Sequence, residues 1–180
     1  SGANDHLNPE EAIKGIDKID KLSVVVGQFE IPQEATCKVF QHCREKEIQT
    51  ILNPAPAQDV IEGLLEVSNW FIPNEVEFKI ISNGGDAESD EDIINFSKEI
   101  ASELIITIGE NGAVTVEDGK VVRMPAPKVN AVDTTGAGDA FIGAFSYGIG
   151  SGKTKMDSIQ LGIERASDSV TRNGTQSSFR

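Results

Sequence analysis

Three short apolar runs constrain the fold of this chain more than any other feature: residues 22–29 (LSVVVGQF), 48–52 and 104–108. A strand with one face in water alternates apolar and polar residues. A run without alternation expects cover on both faces, as parallel strands flanked by helices have. The segments between these runs read as helices. Asn8-Pro9-Glu10-Glu11 is a cap, a proline at the first helical position and two acids at the positive end, and predicts a helix to about Asp20. Ile31-Pro32 opens a second, to about Lys46; a short helix is predicted from Gln58, another after Asn74, and a further one over 91–102. Residues 69–72 read as a strand stopped by Pro73, and 113–116 and 120–124 flank Glu117-Asp118-Gly119 as a hairpin. The last helices are predicted over 138–150 and 155–171. Strands alternating with helices imply one α/β domain over residues 1–180, a three-layer α/β/α sandwich whose mostly parallel sheet turns mixed at the hairpin edge.

Charge and cysteine content narrow the function classes. Among 180 residues, 16 Lys and Arg face 29 Asp and Glu, a net charge of −13. That argues against a nucleic-acid surface, whose affinity comes largely from cationic contacts to phosphate. A small phosphorylated ligand stays open, because Mg2+ and backbone N–H groups can supply the positive field. No run of about 18 apolar residues suggests a membrane span. The polar, acidic first eleven residues do not read as a signal or transit peptide. Cys37 and Cys43 lie six apart in a predicted helix, on different faces, so a disulfide is not expected and a cytoplasmic location is. His6 and His42 have no metal-ligand spacing and read as surface histidines.

The strongest local signal is Asp133-Thr134-Thr135-Gly136-Ala137-Gly138-Asp139-Ala140-Phe141. Two glycines let the backbone turn tightly and approach an anion, and the helix that follows puts the N–H groups of Gly136, Ala137 and Gly138 at its positive end. No Lys-Ser/Thr follows, so it is not a Walker loop; Phe141 stands where a dinucleotide fingerprint needs glycine. A carboxylate beside an anion hole repels phosphate unless it acts on a hydroxyl or a metal. Asp139 is therefore either a base for an alcohol attacking a phosphoryl group or a first-turn partner of the helix dipole.

This segment closely resembles the C-terminal signature of the ribokinase-like (PfkB) sugar and nucleoside kinases. Ser1-Gly2-Ala3-Asn4, Gln28-Phe29-Glu30-Ile31-Pro32, Leu52-Asn53-Pro54-Ala55-Pro56-Ala57, Pro73-Asn74-Glu75-Val76-Glu77, Thr107-Ile108-Gly109-Glu110-Asn111-Gly112 and the run from Thr171 to Ser178 resemble that family in its order and at compatible spacings. The resemblance implies Asp139 as general base and Gly136, Ala137 and Gly138 as the anion hole for the transferred phosphoryl. It implies that Glu30 binds sugar hydroxyls, though the residue could be a strand-end surface acid. Asn74 and Glu77 match an Asn-x-x-Glu motif that organises Mg2+ and phosphates, and Asn74 could equally be a plain helix cap. Asn53 reads more readily as a strand-end turn residue than as a catalytic one. Thr107, Gly109 and Gly112 match a nucleotide-binding turn, or an ordinary hairpin. Asp133, Thr135, Ser169, Arg172, Gly174 and Ser178 match a monovalent-cation (K+) site, mostly through carbonyls.

Two departures stand out. Ile163 occupies a position where the family often carries Asn or His near adenine, within Gly162-Ile163-Glu164-Arg165-Ala166 where small residues are usual. Either the purine pocket is altered or the helix packs differently. The resemblance also begins past the family's first third and stops before its terminal helix, so the chain is expected to be the nucleotide-side portion, without lid or early sugar-contacting Asp. The expected activity is ATP-dependent phosphorylation of D-ribose to ribose 5-phosphate, with ATP, Mg2+ and K+. The alternatives are a kinase for another sugar or nucleoside, or a non-catalytic nucleotide-binding or assembly module. Self-association, or pairing with a complementing N-terminal segment, is the partner expectation.

Overall fold

The computed structural model describes residues 2–179; Ser1, the first residue of the Ser1–Asn4 motif, lies outside them. Four parallel strands, β1 (Val24–Gly27), β2 (Gln49–Leu52), β3 (Trp70–Phe71) and β4 (Glu103–Thr107), are extended by an antiparallel hairpin, β5 (Ala113–Glu117) and β6 (Lys120–Met124). They form one six-stranded sheet in chain order. Six helices flank it: α1 (Pro9–Ile16), α2 (Gln33–Glu45), α3 (Glu75–Ile81), α4 (Asp90–Glu99), α5 (Ala137–Gly150) and α6 (Lys155–Ser169).

The unalternating runs bury two faces because successive side chains feed two separate cores. Leu52, Phe71, Leu104 and Ile106 join Phe40 and Cys43 of α2, Phe78 of α3, and Ile93 and Phe96 of α4. Ile51, Trp70 and Ile105 join Phe141, Ile142 and Phe145 of α5 and Ile159 and Ile163 of α6 on the other face. Burying one such aliphatic or aromatic side chain contributes about 1.5–3 kcal/mol, so the two helix layers hold the sheet without a disulfide; both cysteines are free thiols.

Several expectations change. β1 is an edge strand shorter than the run 22–29, and Val26 is 42% exposed; an edge strand lacks a neighbour, so apolarity alone overstates its cover. Residues 58–61 carry no regular structure and 62–67 are turns rather than a helix, the Gln33 side chain donating to the Asp59 carbonyl and accepting from the Ile61 N–H. α1 stops at Ile16, where Asp17 caps it and pairs with His42 and Lys46. Cys37 and Cys43 both enter the same core, because the buried arc of α2 is wide enough to include both. Among the described residues no helix is long and apolar enough to cross a membrane.

Candidate active site

The C-terminal ends of the parallel strands form one rim, the place where open α/β sheets bind ligands. Asn53, just past β2, ties three strands together. Its Oδ1 accepts from Gln28 Nε2 at 2.9 Å, its Nδ2 donates to the Ile72 carbonyl at 2.9 Å, and its N–H donates to the Gly27 carbonyl. Beyond β3, Asn74 bridges Thr107 in parallel register, and the Thr107 N–H donates to the Pro73 carbonyl. Glu30 is exposed at the end of β1. Gln28, quoted only as part of a motif, is a rim residue that sequence reasoning left without a role; a polar amide near the end of the apolar run 22–29 was the available signal.

α5 brings the glycine turn to this rim. Gly150, its last residue, packs beside Val24 at the start of β1: a Cβ there would lie 3.2 Å from Val24 Cγ2. The helix therefore runs antiparallel to β1, and its N-terminus sits at the strands' C-terminal ends. Gly136 is the N-cap residue with φ +80°, a left-handed backbone that favours glycine. The helix has no side-chain cap there. Among the described residues the N–H groups of Gly136, Gly138 and Asp139 have no acceptor, whereas that of Ala137 donates to the Thr134 carbonyl at 3.2 Å. The open donors are thus not the expected three: Ala137 is engaged within the turn and the N–H of Asp139 takes its place. First-turn N–H groups have no partner within their helix, and together with the helix dipole they favour an anion. The Asp139 carboxylate is exposed and has no hydrogen bond or ion pair among the described residues.

Asn74 and Glu77 form a reciprocal capping box on α3. Asn74 Oδ1 accepts from the Glu77 N–H and Glu77 Oε2 accepts from the Asn74 N–H, both at 2.8 Å. Glu77 is buried, and burial pushes its carboxyl above the ordinary value, partly opposed by the bonds from Asn74. Both motif residues are brought together as a cap, with the second carboxylate oxygen of Glu77 outside that bond.

The β4–β5 connection is a short 3-10 turn, Gly109–Asn111. Gly109 has φ +53° and a Cβ there would meet nothing within 4 Å. Gly112 differs: with φ +97°, a Cβ would lie 2.1 Å from the Met124 carbonyl oxygen and 2.7 Å from the Ala126 N. Its lack of a side chain serves backbone–backbone packing beneath the exit of β6. Ile163 lies in the core against α5, 2% exposed. The Gly162 position fits the Phe141 ring, 2.8 Å from where a Cβ would stand.

The six residues of the implied cation site converge where the 133–135 and 169–178 segments meet. Asp133 Oδ1 accepts from the Thr135 N–H at 2.9 Å and Oδ2 from the Gly174 N–H at 3.0 Å. These bonds hold its carboxyl below the ordinary value, so it stays ionised. The Ser169 carbonyl accepts the Arg172 N–H at 3.2 Å. Ser178 departs from the expected set: its carbonyl receives two donors from the Arg172 guanidinium, at 3.2 and 2.7 Å. A metal cation on that oxygen would sit against a positive charge, so Ser178 does not fit as a ligand, whereas the ionised Asp133 between the two loops does. Among the described residues no three His, Cys, Asp or Glu side chains cluster as a metal site. A divalent ion here would rely on ligand phosphates and waters, the usual habit of Mg2+.

Comparison with known proteins agrees with this architecture. Residues 2–180 match the model of the pfkB family carbohydrate kinases. The chain is 34% identical over 182 residues to a ribokinase of Staphylococcus aureus, covering 99% of this chain and 60% of the relative. It is 34% identical to a deoxyribokinase of Salmonella typhi, again over 99% of this chain and 60% of the relative. A solved structure of Arabidopsis thaliana ribokinase complexed with ribose and ATP superposes with a TM-score of 0.79 at 25% identity, covering 87% of this chain and 52% of that one. The chain thus spans about 60% of the length of the curated relatives it matches.

Proposed function

The chain belongs to the pfkB family of carbohydrate kinases, and from that premise we propose that it carries the phosphoryl-transfer half of an ATP-dependent pentose kinase. D-ribose is the proposed acceptor and ribose 5-phosphate the product. One observation supports the reading above the others. An unpartnered, exposed Asp139 carboxylate stands in the same helical turn as three backbone N–H groups that have no acceptor among the described residues.

The arrangement suits in-line transfer. Phosphoryl transfer is catalysed by positioning and electrostatic stabilisation, because charge spreads over the equatorial oxygens in the transition state. The N–H groups of Gly136, Gly138 and Asp139 would meet that charge with dipoles already oriented. Asp139 would accept the proton of the primary hydroxyl as its oxygen bonds to the γ-phosphorus and the bond to the ADP oxygen breaks. When bound, Mg2+ would supply charge neutralisation on the nucleotide phosphates. Glu77, a buried carboxylate among the described residues, would orient its waters. Asp133, with the backbone of Thr135, Ser169, Arg172 and Gly174, would hold K+. Thr107 and Gly109 border the nucleotide, and Glu30 offers a carboxylate to sugar hydroxyls from the end of β1.

The relatives' names include both a ribokinase and a deoxyribokinase, so ribose and 2-deoxyribose are the pair to separate. The test is phosphoryl transfer from ATP to ribose, deoxyribose, fructose and a nucleoside, with Asp139→Asn beside it. Ribose should be preferred, and Asp139→Asn should lower its turnover at least about a hundredfold, the lower range for loss of a general base. Near-normal turnover by Asp139→Asn would remove Asp139 from that role; nucleotide binding without transfer to any acceptor would favour a binding module. A cytoplasmic location and self-association through the open edge of β1 complete the proposal.

A further inference from the structure

We propose that the Arg172 guanidinium is a positioning group for the anion-binding turn at Gly136–Asp139. It acts through the Ser178 carbonyl and the loop that this carbonyl closes, and the inference rests on the phosphate-binding reading of that turn. Arg172 follows α6 by three residues. One edge of its guanidinium donates to the carboxylate of Asp168, one turn back, with Nη1 at 3.0 Å from Oδ1. The other edge, Nε and Nη2, donates to the Ser178 carbonyl at 3.2 and 2.7 Å. Ser178 is 1% exposed, and both its N–H and its Oγ donate to the Thr175 carbonyl, at 3.0 and 2.6 Å. The segment 174–178 is therefore a closed loop with two anchors: Gly174 on Asp133 and Ser178 on Arg172.

This loop roofs the turn. A Cβ at Gly136 would lie 3.1 Å from Thr175 Cγ2 and 3.3 Å from Phe179 Cζ. Thr175 and Phe179, on either side of Ser178, thus rest against the left-handed residue that aims the open N–H groups. A planar fork with two usable edges suits the task, since it grips a carboxylate and a carbonyl at once; a lysine ammonium has no such geometry. Without the fork, Ser178 loses both donors, and the contacts on Gly136 lose the anchor nearest to them.

The test reads the turn without any ligand. The Ala140 N–H donates to the Gly136 carbonyl at 2.9 Å, so its hydrogen exchange reports whether the turn is held. Arg172→Gln removes both donors to the Ser178 carbonyl and should speed exchange at Ala140 by at least about tenfold, the change that losing even one charge-assisted hydrogen bond produces. Exchange within the 113–124 hairpin should stay at the wild-type rate. Arg172→Lys should restore protection only in part. Titration with ATP and Mg2+ by calorimetry should show weakening in the same order. If Arg172→Gln does not fold, Thr175→Ser, which deletes the Cγ2 contact alone, decides by the same readout. Wild-type exchange at Ala140 in Arg172→Gln, or in Thr175→Ser where that variant decides, overturns the proposal. Faster exchange with undiminished nucleotide affinity upholds the positioning role and instead removes the anion-hole reading on which it rests.

Discussion

Replacing Glu77 by glutamine and, separately, by alanine tests whether this residue is more than a helix cap. Its Oε2 accepts the Asn74 N–H at 2.8 Å and Asn74 Oδ1 accepts the Glu77 N–H at the same distance. Alanine deletes the acceptor and leaves the Asn74 N–H without it, which costs about 1–2 kcal/mol by the range for lost capping bonds. For a protein of this size that is a fall in melting temperature of roughly 2–8 °C. Glutamine keeps a carbonyl oxygen in place and serves a capping box as glutamate does, so its melting temperature should not fall. The pH dependence has a definite sign. Burial raises the folded carboxyl pKa above the ordinary 4.5. The contribution of Glu77 to stability is therefore full below that value and is lost as pH rises through the raised folded value. Glutamine removes this dependence, so it should gain on the wild type as pH climbs from 4 to 7. Thermal unfolding by circular dichroism at several pH values measures this, and calorimetric titration with ATP and Mg2+ measures the ion. If Glu77 serves the ion, both variants lose Mg2+-dependent nucleotide affinity, though only alanine loses stability. A glutamine variant with full Mg2+-dependent affinity would reduce Glu77 to a cap. One as unstable as alanine would refute the view that the acceptor, not the charge, holds α3.

Two glycines should part company. Gly112→Ala drives a Cβ into the Met124 carbonyl at 2.1 Å and should cost about 1–3 kcal/mol in chemical denaturation. Gly138→Ala meets nothing within 4 Å in a helical backbone and should fold normally while weakening ATP; unchanged affinity would count against close approach at Gly138. The Asp133 clasp should titrate in acid. Its carboxyl is held below the ordinary 3.8 by the Thr135 and Gly174 N–H groups, so protection of the Gly174 amide is full above 3.8 and lost as pH falls through the lowered value; protection that persists in Asp133→Asn would disprove the clasp. Finally, β1 presents Val26, 42% exposed, on an edge that has no partner strand among the described residues. Sedimentation should show self-association that Val26→Lys weakens, and a wild-type monomer at high concentration would end that expectation.

How much of this was legible in the sequence depends on what each residue's partners are. The strands could be read because a two-sided core leaves a one-dimensional trace: Leu104, Ile105 and Ile106 are all apolar, whichever core each one feeds. Two of the caps could be read for the same reason, since Asn8 and Asn74 bond to residues two or three positions away. The segment 58–67 could not, because the Gln33 side chain holds it from 26 and 28 residues away. The site divides along the same line. Asp139 and its glycines are one continuous segment and announce themselves. Which N–H groups are open depended on a 3.2 Å bond from Ala137 to Thr134 that the motif does not show. Gly109 and Gly112 look alike in the sequence, three residues apart in one turn. Only the strand that returns 12 residues later, bringing the Met124 carbonyl under Gly112, makes one a packing glycine and leaves the other open. The same holds for Arg172. As a letter in a loop it implied a backbone ligand. Its side chain became informative only when Ser178, six residues on, folded back to accept it. A motif therefore places the atoms that local backbone geometry presents, and folding decides which of them remain available for chemistry.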